Sequence, residues 1–185
     1  MLKKIFSTVI ILAAVLIGSV TSAAETLEVK NVAVLLEPPI ESFDKAEKVH
    51  DSIEQTVTKI FKNASNYSVM SIDETAGYIQ IYREENALGA ETFFKKSDID
   101  TICKNIGSDF IVYLRIDGNE PKTLSESILG APAKVVLDFR IWSNVKQDFI
   151  YFKRVTKNDD YSFEKSLNKC LQEIEKDAAK VRAVM

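Results

Sequence analysis

The residues able to do chemistry are few and scattered. The chain holds one histidine, His50, and two cysteines, Cys103 and Cys170. His50 has Glu47, Glu54 and Val57 at helical spacing and sits beside an apolar stripe. A metal centre would need further ligands in register, and a general base would need a positioned partner, so His50 reads as a helix-boundary residue. Asp73-Glu74, Glu84-Glu85 and Asp159-Asp160 are the paired acids. Such pairs serve glycoside hydrolysis or calcium binding, but sequence neighbours point in different directions and none lies in an EF-hand-like loop. They read as solvated surface. Ser52, Ser125 and Ser127 lack a Gly-x-Ser-x-Gly setting, and no glycine-rich phosphate loop occurs. The sequence therefore offers no catalytic, cofactor-binding or metal-ligating residue, and the expectation is a non-enzyme without a cofactor.

Two apolar features remain as recognition candidates. The stretch from Gly118 to Pro132 is a long polar connection between strand-like segments, and loops of that length are often functional or mobile. Its Leu124, Ile128 and Leu129 either dock a partner or cover one end of the core. The second patch is Tyr78, Tyr82, Phe93 and Phe94, with the same two readings.

The amino terminus sets the compartment. Lys3 and Lys4 precede a sixteen-residue uncharged stretch from Ile5 to Val20, and Thr21-Ser22-Ala23-Ala24 supplies the small residues of a cleavage site. That order is a secretory leader, giving residues 1–23 as signal peptide and 24–185 as one α+β domain, with the cut after Ala23 or Ala24 left open. The stretch is shorter than the roughly twenty apolar residues of a membrane span. No cysteine ends it, so the bacterial lipoprotein acylation site is missing, and no second long apolar run follows. The expected product is periplasmic or secreted and has no transmembrane anchor. Loss of Lys3 and Lys4 moves the net charge from −3 to −5, and basic and acidic residues alternate, so a nucleic-acid partner is not expected. Export favours disulfides. Cys103 and Cys170 each fall on the buried stripe of a helix. Two readings stand: a bridge closing a loop of roughly 67 residues, worth on the order of 4 kcal/mol, or two free core thiols.

The elements that must position these residues follow from periodicity. Glu28 to Leu36 is an apolar run fit for a strand buried on both faces, ended by Pro38-Pro39. Asp44 is the expected N-cap of a helix to about Asn63, with Ala46, Val49, Ile53, Val57 and Ile60 as its stripe. Tyr67 to Ile72 is a short strand. Asp73 to Lys95 stays open, since Tyr78 to Tyr82 has strand composition while its flanks suit a helix. Ser97 with Asp100 makes a capping box for a helix from about 98 to 106, with Gly107 at C′. Phe110 to Asp117 is an apolar strand. Lys134 to Trp142 and Phe149 to Thr156 form a hairpin about a turn at 144–147. A last helix spans about Ser162 to Val184. The order predicts an α+β fold: a mixed β-sheet of about four to five strands, with a late antiparallel hairpin, covered by two or three helices.

Three stretches carry a family likeness: Asn31-Val32-Ala33-Val34-Leu35, Asn66-Tyr67-Ser68-Val69-Met70, and Ile102 to Val112 with its Gly107-Ser108-Asp109 junction. The chain resembles bacterial envelope domains shaped like the TolB amino-terminal domain, the group that includes penicillin-binding-protein activator lipoproteins and the periplasmic core of CsgG. Glu37-Pro38 stands where that group commonly has Pro-Phe. The resemblance implies a non-catalytic envelope domain docking another envelope protein, whose identity it does not give, as it does not give the oligomeric state. In a bacterium the sequons at Asn63 and Asn66 carry no meaning. Two rival readings are a carrier of small apolar ligands beneath the Tyr78–Phe94 region and a hydrolase built from scattered Asp, Glu, Ser and Tyr.

Overall fold

The computed structural model of the chain describes residues 28–39, 42–43, 45–62, 64–90, 92–119, 133–159 and 162–185. Five strands, β1 (Lys30–Glu37), β2 (Tyr67–Val69), β3 (Phe110–Asn119), β4 (Ala133–Ser143) and β5 (Asp148–Asp159), form one sheet in the order β2-β1-β3-β4-β5. β2 and β3 run parallel to β1, and β4 and β5 complete an antiparallel meander. Five described helices cover it: α1 (Ala46–Phe61), α2 (Ile72–Glu85), α3 (Lys96–Ile106), α4 (Phe163–Glu175) and α5 (Ala178–Val184). The α+β class and the late hairpin follow the sequence reading.

β2 and β3 flank β1 on opposite sides, so the two crossovers run in opposite directions. A common hand of crossover then requires them to cover opposite faces. Side-chain alternation along each strand follows suit. Val34, Val112, Leu114, Leu137, Phe139 and Ile141 point to the first face, under α1, α4 and α5. Ala33, Leu35, Ile111, Tyr113 and Trp142 point to the second, under α2, α3 and Phe94.

Local chemistry moves several boundaries. The open segment at 73–95 begins as helix α2, because the Ser71 hydroxyl accepts the Glu74 N–H at 3.2 Å and supplies an N-cap. The strand expected to reach Ile72 therefore stops at Val69. Within α2, Ile79 and Tyr82 turn inward, so burial decides against the β-rich composition. The capping box lies two residues ahead of the Ser97/Asp100 expectation: Lys95 is the N-cap and its N–H reaches Asp98 Oδ2 at 2.7 Å. Asp100 pairs instead with Lys104 at 2.6 Å. Gly107 adopts the left-handed conformation at φ 72°, as its C′ role demands. The carboxylate of Asp109 accepts the Asn31 N–H at 2.7 Å, tying that junction to the start of β1. The final helix is broken at Lys176-Asp177 into α4 and α5, where Asp177 takes ion pairs from Lys153 at 2.6 Å and Lys180 at 2.9 Å. That break and α2 account for five helices where two or three were expected. Asp44 and Asn63, the expected ends of the first helix, lie outside the described residues.

Candidate functional site

Charge enters the second face at one end. Glu37 on β1 pairs in register with Arg115 on β3, Arg115 with Asp138 on β4, and Asp138 with Arg154 on β5. One row across four strands thus alternates acid and base, an arrangement in which each cross-strand neighbour is attractive. The adjoining row is Leu35, Tyr113, Arg140 and Phe152.

The two acids of the charged row are opposite cases. Glu37 is fully buried and is held by the Phe94 N–H at 2.8 Å, the Tyr113 hydroxyl, and Arg83 at 3.5 Å. Burial pushes its carboxyl up, against the Tyr113 and Phe94 hydrogen bonds and the nearby arginines that pull it down. Asp138 is equally hidden, but Arg154 grips both its oxygens at 2.5 and 2.7 Å and Arg140 adds a contact at 3.0 Å. The Arg154 hydrogen bonds come first in holding Asp138 below the usual carboxylate range, with those of Arg140 behind them.

Among the described residues, little covers the second face beyond this row. Of β4 and β5, Trp142 and Phe149 alone reach the second core among the described residues. The Arg115 guanidinium lies 3.7 Å over the Phe93 ring, and it hydrogen-bonds to no described residue. Phe93 is 47% exposed and Phe152 55% exposed. Arg140 stands 5.1 Å over the Phe152 ring with its Nε unpartnered. The surface formed is arginine-rich and aromatic, with Asp138 buried beneath it. The unused Arg115 donors over the Phe93 ring suit carboxylates and amide edges of another molecule.

A separate cleft of about 880 Å³ runs between α2, the β1 edge and the turn at 86–89. Val34, Leu36, Ile72, Ile79 and Leu88 line it, with Asp73 and Glu84 among its polar residues. Arg83 also borders it but spends its guanidinium inward, on the Gly89 carbonyl at 2.6 Å, the Thr92 carbonyl at 3.0 Å and the ring of Phe94 at 4.2 Å.

The residues singled out from sequence are dispersed. Cys103 lies in the second core and Cys170 in the first, so the sheet separates them and both are free thiols. This corrects the disulfide reading: the helices bearing them cover opposite faces. Tyr82 and Phe94 are core, packed edge to face at 6.0 Å, whereas Tyr78 and Phe93 are exposed. The expected four-residue patch is thus split between interior and surface. Leu124, Ile128, Leu129, Ser125, Ser127 and Asp160 lie outside the described residues. His50 Nε2 is 3.2 Å from Asp73 Oδ1 without hydrogen-bond geometry. Among the described residues no group of three His, Cys, Asp or Glu is placed to hold a metal ion, and no helix is long and apolar enough to cross a membrane.

Sequence reasoning passed over Glu37, Arg83, Arg115, Asp138, Arg140 and Arg154. The available signal was period-2 polarity within otherwise apolar strands: Arg115 with Asp117, and Asp138 with Arg140.

No protein-family model and no curated protein matches this chain. Solved structures do. The LpoB C-terminal domain from Salmonella enterica aligns at TM-score 0.41 and 11% identity, over 70% of this chain and 83% of that one. Lipoprotein GNA1162 from Neisseria meningitidis aligns at TM-score 0.42 and 12% identity, over 82% of this chain and 99% of that one. The hypothetical protein CT253 from Chlamydia trachomatis aligns at TM-score 0.42 and 8% identity, again over 82% and 99%. At these values the likenesses decide nothing about what this chain binds. The TolB and CsgG parts of the resemblance remain expectations from sequence.

Proposed function

We propose that this chain is an exported, non-catalytic domain that docks a partner protein on the open half of its second sheet face. The observation that carries the reading is the Arg115 guanidinium stacked 3.7 Å over the exposed Phe93 ring, its donors unused by any described residue. Arginine and aromatic side chains dominate the energetic centres of protein interfaces. Here Arg115, Arg140, Arg154 and Phe152 are held on the sheet and Phe93 stacks on Arg115 from the connection before α3, so less side-chain freedom is left to lose on binding. Arg140 and Arg154 are spent on Asp138, and Asp117 lies beside Arg115 on the same face, so the partner group that meets the unused Arg115 donors is acidic and is flanked by apolar contacts to the two phenylalanines. The leader pattern read at residues 1–23 supports an encounter in the periplasm or outside the cell.

The test is capture of the partner from envelope extract by the mature chain, with Arg115→Glu as control. Retention of one stoichiometric protein by the native chain and its loss with Arg115→Glu is the expected result. A co-purifying lipid or metal in place of a protein, or capture indifferent to Arg115→Glu, contradicts the reading.

A further inference from the structure

β2 ends at Val69, paired with Val32, so β1 has no strand neighbour on that side from Val34 onward. The Val34 N–H turns instead to the Thr75 hydroxyl at 3.4 Å. Leu36 lies two residues further along the same edge, and no described residue outside the strands takes its N–H or C=O. An edge left so is a template for another chain. The cleft follows this edge in the lane where β2 stops. Room exists there because α2 faces it with Ala76 and Gly77, and a Cβ placed on Gly77 would meet nothing within 4 Å. Its lip carries the exposed acids Asp73 and Glu84, while the bordering cation, Arg83, is committed inward to Glu37 and two carbonyls.

We propose that the cleft receives an extended segment of another protein as an added strand beside Val34–Leu36, apolar at alternate positions and bearing a lysine or arginine that meets Asp73 and Glu84. Backbone pairing supplies the mode of recognition and the side-chain alternation supplies its selectivity. The negative lip supplies the charge preference. This site is distinct from the arginine–aromatic face, which shares none of its lining residues and favours acidic groups.

The probe is a random heptapeptide library displayed against the mature chain, with Gly77→Leu as counter-target, since leucine is a good helix former and fills the cleft. Enriched peptides are expected to alternate apolar and polar residues and to carry Lys or Arg. They should weaken at least about tenfold when alternate backbone amides are N-methylated, the cost of roughly one to two lost hydrogen bonds. They should weaken similarly on the chain bearing Asp73→Lys with Glu84→Lys, and stay unchanged on Arg115→Glu. Absence of any enriched peptide overturns the proposal, as does binding insensitive to N-methylation. Saturable binding of a fluorescent fatty acid that Gly77→Leu blocks, with no peptide enriched, overturns it in favour of an apolar-ligand site.

Discussion

The two faces of this sheet are built from the same strands by different rules. The first is apolar along the middle of β1, β3 and β4, roofed by α1, α4 and α5, and it includes fully buried Leu137, Phe139 and Ile141. Each such side chain contributes about 1.5–3 kcal/mol by leaving water. The second face begins apolar beneath α2 and α3 and then admits Glu37, Tyr113 and Asp138, each buried and each satisfied by specific partners. Apolar packing tolerates exchange of shape for shape, whereas a buried polar cluster holds only while every member keeps its partner. The second face is therefore the one whose buried polar residues are held by specific partners, and Arg154 carries the charged row outward with its side chain 60% exposed.

Phe139→Ala on the first face should show the largest effect, a loss of about 3–5 kcal/mol in urea unfolding, from lost transfer energy plus the cavity. Glu37→Gln on the second face changes no volume yet should cost about 1–3 kcal/mol, because Arg83 loses its charge partner and Tyr113 faces a donor. A cost near zero would mean the second core does not depend on its charges.

Acidity should separate the two buried acids. Asp138 titrates below its ordinary range in the fold, so its stabilisation is complete above the unfolded value near 4 and is lost as pH falls through the lowered value. Asp177, held down by Lys153, Lys180 and Tyr151, shares that acid limb. Glu37 titrates above its ordinary range, so it favours the fold most below the unfolded value, and that share fades as pH rises toward the raised one. Stability measured against pH should lose its steepest acid fall in Asp138→Asn. In Glu37→Gln it should instead lose a shallow decline on the neutral side.

Smaller effects test the edges. Gly77→Ala should stabilise by about 0.5–1 kcal/mol, read as a rise in melting temperature, since the position is mid-helix and its Cβ has free space. The cysteines should show almost nothing. Burial pushes Cys103 up to about 12 and Cys170 up to about 11, so neither presents thiolate at neutral pH. Iodoacetamide at pH 8 should label them only in denaturant, and reductant should leave the melting temperature unmoved.

How much of this was legible in the sequence divides along the same line. The first face was, because Val135, Leu137, Phe139 and Ile141 alternate without exception and α1 repeats at helical spacing. The parallel opening, the hairpin and the Gly107 cap were legible for similarly local reasons. α2 was not, since Tyr78 to Tyr82 alternates as a strand does until the Ser71 cap and burial of Ile79 decide otherwise. The charged row was hidden for a different reason. Glu37, Arg115, Asp138 and Arg154 lie far apart in the chain and meet only through strand register, which no local pattern states. Cys103 and Cys170 misled because a buried stripe says that a residue faces a sheet and not which side of it.

Docking through Arg115 and Phe93 is tested most directly by calorimetric titration of the captured partner against the native chain, Arg115→Glu and Phe93→Ser. Affinity should fall at least about tenfold in each variant, with the melting temperature of Phe93→Ser close to native and that of Arg115→Glu lowered, because its carboxylate stands between Glu37 and Asp138 across the strands. Unchanged affinity in either variant, or a loss that only tracks unfolding, would contradict it.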